Sequence, residues 1–267
     1  MSDDFDIIAF NAPLGAEIRG LDLNLGLTPP VQAALRRALA DHLVLLARGQ
    51  QVTPEGHARF AASFGTPEAH GFVAGLDGHE VITEIRKEPE HSHNFGGAWH
   101  FDLSFQPSPP IAAVLVARTI PPTGGDTLWA NQYLAYDTLP ADVRAEVDTL
   151  QAVHSSQLSF GGYLDTTKVT IAEHPLAPVH PLTARRYLFA NPVAIYRLKG
   201  RTAAVSRELM DFLVQHATSE PFRYRHRWQQ GDVLVWDNRA SMHCALNDYQ
   251  GQRRVMHRIS VREEGAV

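Results

Sequence analysis

The chain has a single cysteine, Cys244, so no internal disulfide can form and the small disulfide-framed secreted folds are excluded. It carries no excess of positive charge: 24 Lys and Arg stand against 29 Asp and Glu, for a net charge of -5. A surface built for nucleic acid or for anionic lipid is therefore not expected. No uninterrupted apolar run approaches the roughly 18 residues that a membrane-spanning helix needs. The first ten residues, MSDDFDIIAF, are acidic where a secretory leader is basic. Internal repeats, low-complexity tracts and obvious linkers are missing as well. These absences point to a cytoplasmic protein with neither nucleic acid nor membrane as partner.

What is present is ordinary in bulk. The 267 residues are 44% hydrophobic and 20% charged, which suits one globular domain over 1–267 with a sizeable core. The oddity is 14 histidines, which invites a search for metal ligands without establishing one. Short β-type segments dominate: DIIAF, HLVLLAR, HEVITEIR, PIAAVLVAR, RYLFA, FRYRHRW, DVLVWD and RVMHRISVR. They do not alternate strictly with helices, so a doubly wound parallel sheet is disfavoured. The expected class is mainly β with flanking helices, a sandwich or jelly roll. Thr28-Pro29-Pro30 and Thr53-Pro54-Glu55 read as helix starts with proline in the first turn; Gly65 reads as the end of the second helix. Further helices are expected near 131–138, 140–150 and 206–218. The stretches 66–98 and 151–185, rich in Gly, Pro, His and Ser, read as long loops, where substrate-binding segments and lids are found.

The chemistry starts at Trp99-His100-Phe101-Asp102. On a strand, residues i and i+2 point to the same face, so His100 and Asp102 can aim at one point. Two histidines and one carboxylate on one face of a metal leave the other positions open, the facial arrangement of non-haem iron(II) oxygenases. The third ligand must come from elsewhere, and His243, after DVLVWDN and a short ASM loop, is the best candidate. An HxD pair alone is a weak signal, more often a surface feature or a buried hydrogen-bonded couple. Cys244 would point away from His243 on extended backbone and is not counted as a ligand. Trp99 and Trp236 read as packing beside the ligands.

Beyond His243 lie Arg254 and Arg258, four apart on an expected strand and so on one face. Buried arginines need anionic partners, and a guanidinium suits a carboxylate. This strand can hold two acids beside a metal. The alternative is a solvated face, with Arg253 and Arg262 as similar surface charges.

WHFDLSF around His100, PPTGGDTLWANQYLAYDTL at 121–139, WDNRASMHCALNDY at 236–249 and RRVMHRISV at 253–261 together resemble the taurine/2,4-D dioxygenase (TauD/TfdA) family. The opening GAEIRGLDL fits as well, and the resemblance runs from about residue 8 to residue 262. It implies a double-stranded β-helix, or jelly roll, with a metal at its open end. It also implies Fe(II), 2-oxoglutarate and O2 as cofactor and cosubstrates, with succinate and CO2 as products. Carried over residue by residue, it makes His100, Asp102 and His243 the iron ligands. Thr127 and Arg254 become contacts to 2-oxoglutarate, and Arg258 and His70 contacts to substrate. It leaves a homo-oligomer open. Without it, Thr127 would be a β-branched strand residue, Gly124 and Gly125 a plain turn and His70 a loop histidine.

The sequence departs from the taurine-oxidising members in ways that bear on substrate. Val73 stands for a tyrosine, Gly96 for an asparagine and Ala194 for a phenylalanine. Each change removes bulk or a polar contact, so taurine is a doubtful substrate. The expected substrate is a small organic anion: a sulfonate, a sulfate ester or a carboxylate. An aryloxyalkanoate, whose ether is cleaved by hydroxylation, is the alternative. A zinc hydrolase and a silent jelly-roll binding protein are the rivals outside this class. Within it, another oxidative outcome such as desaturation is open.

Overall fold

A computed structural model of the chain describes residues 5–71, 73–160 and 169–265. The strands are Asp6–Ala9 (β1), Ala16–Arg19 (β2), Val44–Ala47 (β3), Thr66–Glu68 (β4), Gly75–Leu76 (β5), His79–Lys87 (β6), Ala112–Thr119 (β7), Thr127–Asn131 (β8), Gln151–Ser155 (β9), Ile171–Pro175 (β10), Ile195–Leu198 (β11), Arg223–His226 (β12), Val233–Asp237 (β13), Ser241–Ala245 (β14) and Arg254–Arg262 (β15). The helices are Pro29–His42 (α1), Pro54–Ala62 (α2), Gln132–Asp137 (α3), Ala141–Val147 (α4), Ser156–Phe160 (α5) and Ala203–Ala217 (α6). Nine strands form one sheet in the order β1-β2-β3-β13-β7-β15-β6-β5, with β4 also on β15. Two three-stranded sheets, β12-β8-β14 and β10-β9-β11, complete the β structure. All pairings are antiparallel except β2 with β3. The long-range order of strands in sequence and sheet is that of a jelly roll, as expected.

The apolar runs of β3, β7, β13 and β15 have a simple cause. Both faces of the large sheet are covered, so neither parity needs to be polar. Leu45, Val114, Val116, Val233, Val235, Ile259 and Val261 pack outward beneath Leu35 and Leu39 of α1 and Phe60 of α2. Leu46, Leu115, Leu234, Trp236 and Met256 face inward, against Trp129 of the small sheet. This parity positions the site. Residues 254, 256 and 258 share the inward face, since β15 pairs with β6 without a register shift over Arg254 to Arg258.

Several expectations need correction. RYLFA is not a strand: Arg186 makes one isolated bridge to Val179. Its neighbours bond to scattered carbonyls instead, Leu188 to Gln132 at 3.1 Å and Phe189 to Leu176 at 2.8 Å. The run is apolar because it is buried, not because it has a sheet partner. The stretch 151–185 is no single loop; its described part holds β9, α5 and β10. Helix α2 ends at Ala62, with Ser63 as its cap, before Gly65. Thr53 caps α2 by accepting from the Gly56 N–H at 3.1 Å, whereas the Thr28 side chain makes no capping bond to α1. Among the described residues no helix is long and apolar enough to cross a membrane.

Candidate active site

His243 lies in the middle of β14, whose partner β8 sets its direction. His243 pairs with Trp129, Ala245 with Thr127 and Ser241 with Asn131, so these side chains share the face turned toward the large sheet. The expected ASM loop is thus the start of this strand. Cys244 has the opposite parity, and its thiol reaches the Gly97 carbonyl at 3.4 Å.

His100 joins the same sheet by one bridge to His243. Its N–H bonds to the His243 carbonyl at 2.9 Å, and the His243 N–H to the His100 carbonyl at 3.0 Å. Here the expectation of a continuous strand through Asp102 fails. The chain turns at Asp102 and Leu103 is left-handed at φ 45°. The two side chains still converge. His100 Nε2 lies 3.6 Å and His243 Nε2 3.8 Å from Asp102 Oδ1. One donor atom from each of the three residues falls within 4.8 Å of the others. Among the described residues, this is the one group of three or more His, Cys, Asp or Glu so arranged.

The protonation states suit a divalent cation. His100 Nδ1 is 2.7 Å from the Ala98 carbonyl. A carbonyl can only accept, so Nδ1 carries the proton and Nε2 presents its lone pair to the site. Burial keeps both imidazoles neutral, lowering the pKa of His100 and, more strongly, of His243. Burial pushes the Asp102 carboxyl up, but the Arg258 guanidinium beside it more than offsets this and holds Asp102 ionised. Two neutral imidazoles and one carboxylate are the donor set expected of a non-haem iron(II) site.

Arg258 Nη2 stands 2.7 Å from Asp102 Oδ2, an ion pair with off-axis geometry rather than an aligned hydrogen bond. Its Nε is buried without a hydrogen-bond partner. Arg254 is also buried, and its Nε and Nη2 have no partner. It also faces Tyr249 and the Trp228 ring, 5.9 Å from the guanidinium. A desolvated cation with unpaired donors calls for an anion. Arg254 opens on a chamber of about 40 Å³ shared with Thr127, Leu115, Trp236 and His243. The Thr127 hydroxyl accepts from Trp228 Nε1 at 2.9 Å, which leaves its own proton free to donate. These residues fit a carboxylate entering beside the metal ligands.

The glycines before Thr127 are more than a plain turn. Gly125 N–H donates to Asp248 Oδ1 at 2.7 Å. A Cβ on Gly124 would lie 2.6 Å from the Asp248 carbonyl oxygen, and one on Gly125 3.2 Å from Arg254 Cδ. The pair lets the turn close against the loop leading to Arg254.

A second, larger cavity of about 480 Å³ adjoins the small chamber, sharing Phe95, Gly96, His100 and Arg258 with it. Its walls include His70, Val73, Phe95, Gly96, Phe105 and Val193, with His100, Asp102 and Arg258 at its inner end. His70 is thus placed on the wall of this cavity. Burial, reinforced by the Arg258 charge, lowers its pKa to about 4, so it is neutral at pH 7. Val73 and Gly96 line the cavity as well. Ala194 does not: it is fully buried, and Val193 forms the wall there. Gly96 has φ 75°, and a Cβ on it would press on the His100 ring at 3.1 Å.

Sequence reasoning missed three contributors. Trp228 was visible only as the tail of a strand, yet it holds the Thr127 hydroxyl. Tyr249, in the quoted NDY, faces Arg254. Asn238, in the quoted WDN, bonds to the backbone of Asp102 at 2.9 and 3.1 Å. A sequence shows that such residues are polar or aromatic, not which distant backbone they meet.

Comparison with known proteins gives concordant results. A family model described as "Taurine catabolism dioxygenase TauD, TfdA family" matches residues 7–260. The chain is 35% identical to an alkylsulfatase of Acinetobacter baylyi, over 94% of this chain and 83% of that protein. It is 33% identical to an alpha-ketoglutarate-dependent sulfate ester dioxygenase of Pseudomonas putida, over 99% of this chain and 91% of that one. The crystal structure of a putative alpha-ketoglutarate-dependent taurine dioxygenase from Burkholderia xenovorans superimposes with a TM-score of 0.86 at 34% identity, covering 97% of this chain and 93% of that chain.

Proposed function

The chain belongs to the taurine catabolism dioxygenase TauD, TfdA family, and we propose that it hydroxylates a small sulfate ester with an apolar tail. It is an Fe(II)- and 2-oxoglutarate-dependent dioxygenase acting on a small molecule. The observation that carries the substrate reading is Arg258, a buried cation with an unpartnered Nε at the inner end of the 480 Å³ cavity. The names of the two relatives above agree with it.

Each residue then has a task. His100, Asp102 and His243 would hold the iron, beside the two chambers. Arg254 pairs with the far carboxylate of 2-oxoglutarate in the small chamber, and the Thr127 hydroxyl donates to the same carboxylate. Arg258 offers its free Nε to the sulfate oxygens without giving up Asp102. Neutral His70 adds an uncharged N–H donor. Phe95, Phe105 and Val193 bury the tail and exclude water, so the C–H bond next to the ester oxygen lies over the metal face. When bound, iron, 2-oxoglutarate and O2 supply the oxidation: one oxygen atom enters that C–H bond, the other ends in succinate, and CO2 is lost. The resulting hydroxy ester breaks down without further catalysis to an aldehyde and sulfate.

A second reading, an aryloxyalkanoate, draws on the phenylalanines 95, 101 and 105 around the cavity. One experiment tests both. The anaerobic Fe(II)/2-oxoglutarate complex is mixed with alkyl sulfates, alkyl sulfonates and aryloxyacetates, then exposed to air. Succinate formed one-for-one with sulfate and aldehyde is the expected result. Phenol release in place of sulfate would move the assignment to the second reading. Sulfate release without O2 uptake would point to a hydrolase and sink the proposal.

A further inference from the structure

We infer that Asn238 is the positioning residue for Asp102, its side-chain amide setting the aim of that carboxylate. This rests on the reading of His100, Asp102 and His243 as the iron ligands.

The histidines have backbone ladders to fix them. His243 sits within β14, and His100 is tied to it by the reciprocal pair of hydrogen bonds at 2.9 and 3.0 Å. Asp102 has no such support. It lies past the bridge, where the chain turns, and the next residue is left-handed. Its carboxylate is meanwhile drawn toward Arg258 at 2.7 Å. Something else must hold its backbone.

That role falls to one amide. Asn238 Oδ1 accepts from the Asp102 N–H at 2.9 Å, and Nδ2 donates to the Asp102 carbonyl at 3.1 Å and the Pro110 carbonyl at 2.8 Å. Both backbone polar groups of the ligand are therefore held by the same side chain. Rotation of the Asp102 backbone breaks both bonds together, and the bond to Pro110 anchors the far end of the 102–110 segment. Asn238 is 1% exposed, and its oxygen and nitrogen are all engaged in these contacts. It has nothing left to offer a ligand, so its effect must pass through Asp102.

Asn238 is itself rigidly mounted. Its N–H bonds to the Ile111 carbonyl at 2.9 Å. The preceding Asp237 is fully buried, with its carboxylate held by His180 at 3.0 Å and Arg239 at 2.6 Å. Ser241 Oγ donates to the Asp237 carbonyl at 2.6 Å. The same turn runs directly into β14 and so into His243. One turn thus sets the strand that carries one ligand and clamps the backbone that carries another. Histidine and carboxylate come from distant parts of the sequence but share this frame.

The test compares Asn238→Ala, Asp102→Ala and Leu35→Ala. Leu35 is fully buried on the inner side of α1, packed on the outer face of the large sheet, so its loss destabilises the fold without touching the site. Mn(II) affinity is measured by anaerobic titration on folded protein, together with the visible spectrum of the Co(II) complex. Melting of the metal-free protein reports on the fold alone. Asp102→Ala should abolish tight Mn(II) binding. Asn238→Ala should weaken it about 10–100-fold, the range for lost outer support of a ligand, and alter the Co(II) spectrum. Leu35→Ala should melt earlier with Mn(II) affinity and Co(II) spectrum unchanged. If Asn238→Ala does not fold, Asn238→Asp takes its place: it keeps the shape and the acceptor but gives up both donors. Wild-type Mn(II) affinity and Co(II) spectrum in the folded Asn238 variant, beside a binding-dead Asp102→Ala, overturns the inference alone. Wild-type Mn(II) binding in Asp102→Ala overturns the ligand reading beneath it.

Discussion

The two chambers that meet at His100, Asp102 and His243 are built in different ways. The small one, about 40 Å³, is walled largely by ladder residues: Leu115, Thr127, Trp129, Trp236, His243, Arg254 and Arg258. Their directions follow from strand parity and register, and they pack at the density of a core. The large one, about 480 Å³, is walled largely by connecting segments, 70 and 73, 93–105 and 193, with Ser159 of α5 and Arg258 of β15. Its shape depends on turns and single hydrogen bonds. The contrast matches a division of labour. Thr127, His243 and Arg254 are fixed in strands, while most of the groups around the large cavity sit where sequence can vary without disturbing a ladder.

The strongest test of that division is at the proposed metal centre. His243→Ala removes a ligand fixed by β14, and succinate formation with every substrate should fall by more than about 100-fold, beyond the cost of losing an outer hydrogen-bond partner. Its melting temperature should change little by comparison, because the ring Nδ1 makes no hydrogen bond that the fold would lose. A variant that still turned over 2-oxoglutarate would move the metal elsewhere and dissolve the comparison.

Arg254→Met comes next and acts in the small chamber alone. Removing one partner of a buried charge pair costs about 2–5 kcal/mol, so the KM for 2-oxoglutarate should rise roughly 30- to several-thousand-fold by the same conversion. Mn(II) affinity should stay within a few-fold, and the ranking of substrates should not change. A changed ranking would mean that the chambers are not separate.

The legibility of the sequence follows the same line. Arg254 and Arg258 were readable as a same-face pair because β15 keeps its register through both. His243 stood out beside a run, VLVWD, that is apolar because both faces of the sheet are buried. Where ladders end, reading failed. Asp102 looked like a strand residue but sits on a turn, and RYLFA looked like a strand because burial alone gives the same apolar composition. Ala194 was placed in the substrate wall by a resemblance, yet the backbone there turns Val193 to the cavity. Such errors share a cause: periodicity reports burial, while direction needs partners that lie far away in sequence. The bonds between the Asn238 side chain and the Asp102 backbone, 136 residues apart in sequence, are the clearest case.

Thr127→Val should give a smaller change in the same chamber as Arg254. The hydroxyl accepts from Trp228 Nε1 at 2.9 Å and is free to donate to a carboxylate. Its loss removes one bond to a charged group, about 1.5–3 kcal/mol, or roughly ten- to hundredfold in the KM for 2-oxoglutarate. Val keeps the β-branched shape that β8 needs, so folding should survive. An unchanged KM would show that Arg254 holds the cosubstrate without help.

Val73→Phe is the mildest change and belongs to the large chamber. Val73 is 36% exposed, and it lines both this cavity and a neighbouring space of about 140 Å³ beside Thr83 and Ile85. Added bulk there should shorten the room for a substrate tail without reaching Arg254 or Thr127. A pocket change of this size shifts discrimination by about 1 kcal/mol, roughly fivefold in kcat/KM between long- and short-chain alkyl sulfates. The KM for 2-oxoglutarate should move by less than about twofold, well below RT in free energy. The direction matters more than the size. If long-chain substrates suffer and short ones do not, the loops set specificity. If both suffer equally while the KM for 2-oxoglutarate also rises, the loop at Val73 acts on the metal site itself, and the division between strand-built chemistry and loop-built choice is lost.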